Sequence, residues 1–161
     1  MYTRNAYHIR EVICMIVNGY AYPSIMPEVL QWWLPRLSWL SCFSYGFTAE
    51  GELINLEDEN LIQAAGGYGV RPMMVLTPMD ENGAFNDEVA SAVFENPEAE
   101  ANLIDNIEEN IIYKGMGGVD FDFEYIRGRY AGNYVELVAR TRDRLSPQGY
   151  LTTVALAPKT S

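Results

Sequence analysis

The segment Gly117-Gly118-Val119-Asp120-Phe121-Asp122-Phe123-Glu124 sets three carboxylates two residues apart, with an apolar residue between each pair. Side chains on a strand alternate between faces, so Asp120, Asp122 and Glu124 share one wall while Val119, Phe121 and Phe123 share the other. On an antiparallel strand such acids would simply face water. In a parallel sheet covered by helices each would cost several kcal/mol unless protonated, paired or turned toward a functional cavity. Carboxylates in one row repel, so at least one is expected to keep its proton near neutral pH, which a general acid requires. Glu124 lies at the carboxyl end of the strand, where the active sites of β/α barrels collect, and is the candidate proton donor; Asp122 is its modulator. A linear row on one strand is a poor preformed cage for magnesium or calcium, and no metal is assigned to it.

The elements that must position this row read as β/α repeats. Short apolar runs suited to buried strands occur at 12–17, leading into Asn18-Gly19-Tyr20, and at 39–47, 71–77, 118–125 and 151–157. Helices are expected between them at 26–34, with Pro27 in the first turn and Pro35 as the stop, then at 57–65, 87–94, 97–113 and 132–145. In the fourth of these Leu103, Ile104, Ile107, Ile111 and Ile112 form an apolar stripe. The pairs Gly66-Gly67 and Gly117-Gly118 lack the spacing of a phosphate-cradling loop and read as tight turns or backbone clearance, so no nucleotide cofactor is expected. The fold class is α/β, a parallel (β/α)8 TIM barrel in a single domain over 1–161. Such a barrel typically needs about 250 residues, so five strands in 161 residues read as one cut off after strand five.

Residues at the other strand ends are candidate walls of a ligand cleft. Tyr20, Tyr45, Met79 and Tyr125 are the candidates for substrate contact, because amphipathic side chains there can stack on the apolar face of a sugar ring; ordinary packing is the competing reading. Composition narrows the field of partners. Eleven basic against 22 acidic residues give a net charge of −11 with no Lys/Arg cluster, which argues against a nucleic-acid partner. Apolar residues make up 48% of the chain, enough for a real core. Cys14 and Cys42 lie in apolar runs and read as buried thiols, able to pair only if neighbouring strands align them. His8 is the single histidine, which leaves no Ser-His-Asp triad, Cys-His pair or histidine-ligated zinc to assemble. Residues 1–10 carry no apolar core of a signal peptide, and no apolar run approaches the roughly 18 residues of a membrane span.

The acid row resembles the strand-four signature of glycoside hydrolase family 18, DGxDxDxE, with Gly117 where the signature often carries its first Asp. The stretches NGYAYP at 18–23, FSYGFT at 43–48, DFEYI at 122–126 and ALAPKTS at 155–161 resemble the bacterial spore-cortex branch of that family, whose members carry LysM repeats ahead of the barrel. The resemblance implies a retaining hydrolase of N-acetylglucosamine-containing glycans, spore peptidoglycan before chitin, associated with the spore or cell wall. It implies that Glu124 protonates the glycosidic oxygen, that Asp122 orients the substrate's N-acetyl group as the internal nucleophile, and that Asp120 tunes Asp122 from beneath. Tyr45 would line the cleft floor. The rival readings are a non-catalytic glycan-binding module of the same fold and a structural role in a spore coat. Family members have three further strands, which supply part of the N-acetyl pocket. The 161 residues alone are therefore expected to show weak or absent catalysis, and their open sheet edges to favour self-association.

Overall fold

A computed structural model describes residues 15–124, 126 and 128–156. His8, Cys14, Tyr125, the first part of the run at 12–17 and the stretch 157–161 lie outside the described residues. The elements are β1 (Asn18–Ala21), α1 (Pro27–Trp33), β2 (Trp39–Phe47), β3 (Leu53–Ile54), α2 (Glu59–Gly67), β4 (Arg71–Leu76), α3 (Asp87–Glu95), α4 (Pro97–Lys114), β5 (Gly118–Phe121), α5 (Ala131–Leu145) and β6 (Leu151–Val154). Strands run in the order β1-β2-β4-β5-β6, each paired parallel to the next, while β3 folds back antiparallel onto the end of β2. Parallel strands with helical crossovers are the architecture of a (β/α)8-type barrel, here with five of its strands.

Local chemistry explains the helix boundaries. The Asn96 side chain accepts from the backbone N–H groups of Glu98 and Ala99, Pro97 opens α4, and Gly115 closes it in the left-handed conformation at φ 66°. Asn86 caps α3 in the same way through Glu88 N–H. The core lies between sheet and helices, where Leu40, Cys42, Met74, Leu76, Val119 and Phe121 cluster with Leu61, Leu103, Ile107, Ile111 and Leu137. Ile112, expected in the α4 stripe, is exposed instead. No helix among the described residues is long and apolar enough to cross a membrane.

The first strand differs from expectation. Met15 and Ile16 are exposed coil, at 76% and 58%, and pairing starts at Asn18, opposite Trp39. Apolar content at 15–17 marks the approach to the strand rather than its paired part, and among the described residues β1 pairs with β2 alone, as an edge strand. The strand expected over 118–125 pairs only through Phe121; the Asp122 N–H still donates to Leu76 O, and the chain turns at Glu124.

The glycine pairs divide. A Cβ on Gly118 would meet Leu151 O at 2.1 Å with φ at +151°, and one on Gly117 would strike the Arg71 side chain, so both provide clearance between β5 and its neighbours. Gly66 sits in α2 with open space around it. Gly118→Ala is therefore expected to cost about 1–3 kcal/mol, whereas Gly66→Ala gains about 0.5–1 kcal/mol by favouring the helix. Urea unfolding of the two variants checks both signs, and a Gly118→Ala midpoint equal to that of the unaltered chain contradicts the clearance.

Candidate active site

The row begins at Asp120, in the middle of the parallel pairs β4-β5 and β5-β6, opposite Val75 and Thr153. Asp120 is only 3% exposed, and both of its oxygens are occupied. The Tyr20 hydroxyl donates to Oδ2 at 2.5 Å and the Thr153 hydroxyl to Oδ1 at 2.7 Å. Tyr20 comes from β1, which is not a neighbour of β5, so its ring spans the concave face of the sheet. Burial, then the hydrogen bond and charge of Asp120, then the charge of Asp122, push the Tyr20 phenol well above its usual value, and it stays a donor.

Asp122 follows one alternation higher and is half-buried; Glu124 comes last and is exposed. Burial first, then the charges of Glu124 and Asp120, raise the Asp122 carboxyl above the ordinary carboxylate range. The proton that repulsion was expected to retain on the row is thus favoured on its middle member. On the opposite face Phe123 stacks on Phe47 and on Tyr134 from α5, at centroid distances of 5.6 and 5.2 Å. That apolar packing keeps the alternation of the row intact past the last paired residue.

The four wall candidates are separated by the structure. Tyr20 joins the row. Met79 is half-buried just after β4, and its carbonyl accepts from Phe47 N–H, so its backbone ties the ends of β2 and β4 together. Tyr125 lies outside the described residues. Tyr45 does not line the cleft: it is fully buried on the helix side, where its hydroxyl donates to Asp58 Oδ2 at 2.6 Å and accepts from Lys114 Nζ at 2.9 Å. Lys114 also donates to Asp58 Oδ1 at 2.7 Å and to Leu56 O at 2.9 Å, which uses all three of its protons. The register of β2 against β4 shifts between Cys42 and Tyr45, and this irregularity turns Tyr45 away from the face that Ser41 shares with Tyr20. Phe43 stays on the concave side instead, edge-on to Tyr20 and Tyr22 at 6.5 and 5.2 Å.

Thr153, Asp58 and Lys114 escaped the reading of the sequence. Thr153 carried a weak signal, as one of two adjacent threonines in an apolar strand, but only the register with Asp120 says which of them faces the acid. Among the described residues no group of three or more His, Cys, Asp or Glu side chains is arranged to hold a metal ion.

The parallel β/α sheet carries its row of carboxyls toward its carboxyl edge, the end at which β/α barrels collect their sites. The chain is homologous to spore cortex-lytic enzymes of the family 18 type and shares its fold with chitinases, over part of their barrel. It is 31% identical over 140 residues to YdhD of Bacillus subtilis strain 168, which carries the name of a sporulation-specific glycosylase; the match covers 86% of this chain and 33% of that protein. The crystal structure of the spore cortex-lytic enzyme SleL from Bacillus megaterium QM B1551 superposes with a TM-score of 0.84 at 30% identity, over 91% of this chain and 35% of that one. A class V chitinase from Pseudomonas fluorescens Pf-5, at 20% identity and TM-score 0.82, covers 89% of this chain and 45% of its own and shows the fold alone. The chain thus spans about a third of the length of the curated relatives it matches. No protein-family model matches it.

The raised Asp122 carboxyl makes stability depend on pH. The folded state binds this proton more tightly than the unfolded chain, so the stability Asp122 contributes is complete below the ordinary carboxylate range and is lost as pH rises through its raised value. Asp122→Asn cannot ionise and is expected to be more stable than the unaltered chain at neutral pH, with the gap closing below about pH 4. Urea midpoints at the two pH values measure it, and equal midpoints at neutral pH would contradict the assignment.

Proposed function

We propose that the chain carries the acid row of a retaining hydrolase of N-acetylglucosamine-containing glycans, spore peptidoglycan before chitin, at the spore or cell wall. The observation that carries this reading is the graded row itself: Asp120 buried and held by two hydroxyls, Asp122 half-buried with its carboxyl raised, and Glu124 exposed at the strand's carboxyl end. Homology at about 30% identity to spore cortex-lytic enzymes favours peptidoglycan, because the chitinase likeness rests on fold.

In this mechanism Glu124 donates its proton to the glycosidic oxygen as the bond to the anomeric carbon breaks. The acetamido carbonyl oxygen of the same sugar attacks that carbon and closes an oxazolinium ring, while Asp122 orients the acetamido group and stabilises the charge it acquires. Water, deprotonated by Glu124, then opens the ring with overall retention, the substrate-assisted exception to the two-carboxylate scheme. Glu124 needs access to the leaving oxygen, and its exposure supplies it.

Glu124→Gln keeps the shape and removes the proton. In a barrel completed with the three further strands of the family, cleavage of spore peptidoglycan and of chitin oligosaccharides is expected to fall by about 10²-fold or more, while glycan binding, measured separately by calorimetry, is retained. Binding without cleavage by that completed barrel would instead mark a glycan-binding module, and cleavage unaffected by Glu124→Gln would remove Glu124 from the mechanism.

A further inference from the structure

Two threonines sit side by side on β6 and have opposite fates. In a parallel pair, residues in register face the same side, so Thr153, opposite Asp120, points to the concave face, and Thr152, opposite Val119, points to the helices. The Thr152 hydroxyl is buried there without a hydrogen-bond partner, whereas the Thr153 hydroxyl donates to Asp120 Oδ1 at 2.7 Å.

We infer that Thr153 is a positioning residue for the acid row: its hydroxyl fixes one oxygen of Asp120 and so sets how the charge of Asp120 acts on Asp122. Asp120 takes part in none of the ion pairs among the described residues, so two neutral hydroxyls, from opposite ends of the sheet, hold this buried group. The titratable groups that face it are Tyr20 from β1 and Asp122 and Glu124 along its own strand; Tyr134 from α5 packs on the other face with Phe121 and Phe123, and its phenol is pushed up by burial and then by the charges of Asp120 and Asp122. Its partner on β4 is the uncharged Val75. Each hydroxyl orients a carboxylate oxygen without neutralising it, and the charge stays available to oppose ionisation of Asp122.

Removal of the Thr153 hydroxyl leaves Oδ1 buried with no donor. Without that donor the charge of Asp120 is less firmly held, and its opposition to ionisation of Asp122 weakens. Thr153→Val keeps the branched shape and deletes the hydroxyl; Thr153→Ser keeps the hydroxyl and deletes a methyl. The role in the row does not depend on hydrolysis, but its catalytic meaning rests on the function proposed above.

The test is a pH titration of the carboxyl ¹³C resonance of Asp122 by NMR in the full chain and in the two variants. Thr153→Val is expected to move the Asp122 midpoint down, and Thr153→Ser to restore it toward that of the unaltered chain. A Thr153→Val variant that folds with the Asp122 midpoint unmoved overturns the inference. Should that variant not fold, the unaltered chain decides: the Thr153 side-chain resonances are expected to shift in step with the Asp122 titration, and resonances indifferent to it overturn the inference equally. No glycan enters this experiment, so its failure is distinct from that of the hydrolase reading, which falls with cleavage unaffected by Glu124→Gln.

Discussion

The hydrogen bond from Tyr20 to Asp120 is the contact that the rest of the structure arranges itself around. The two residues stand on β1 and β5, with β2 and β4 between them. In a flat sheet, strands three places apart would lie about 14 Å from one another. The Tyr20 and Asp120 side chains span much of that distance, and curvature of the sheet toward its concave face brings the phenol oxygen to 2.5 Å from the carboxylate. The same contact gives the buried Asp120 a partner, so curvature of the sheet and tolerance of the acid row are one event. The backbone clearance at Gly118 belongs to it as well, because β6 must come close enough to bring Thr153 to the other oxygen.

Two of the buried carboxylates lie on opposite sides of the sheet and are treated in opposite ways. On the helix side Asp58 is met by a cation, Lys114, and by the Tyr45 hydroxyl, in a closed network that joins the end of α4 to the start of α2 and to β2. Breaking such a pair leaves an unmatched charge and costs about 3–5 kcal/mol, which is the behaviour of a structural clamp. On the concave side Asp120 is met by hydroxyls alone. The clamp cancels its charge locally. The hydroxyl cradle does not, and Asp122 feels the result.

Much of this was legible in the sequence, and the failures have physical causes. The period-two acid row, the β/α alternation and the starts of α3 and α4 follow from local chemistry, and local chemistry is what a sequence displays. Tyr45 was misplaced because a position near a strand end does not say which face the side chain takes, and one register shift between Cys42 and Tyr45 sets that face. The first strand was misplaced because its identity depends on where β2 pairs with it rather than on its own apolar content. Thr153 and the Asp58–Lys114 pair are contacts between residues 33 and 56 positions apart, and no local pattern encodes them.

The order of burial along the row explains why its members differ. An acid at the deepest position has to be held by fixed donors, because no water reaches it to compensate its charge. An acid one step higher, half-buried and flanked by a carboxyl on each side, bears both penalties, desolvation and like charge, and is the one whose protonated form the fold favours. The outermost acid has solvent to stabilise it and is free to meet a ligand that arrives at the strand's end. Three residues of nearly identical chemistry thereby acquire separate surroundings from their depth and from their place in the row. A single strand, on which each second residue stands nearer to solvent, is sufficient to produce that separation, and two fixed hydroxyls hold its deepest member.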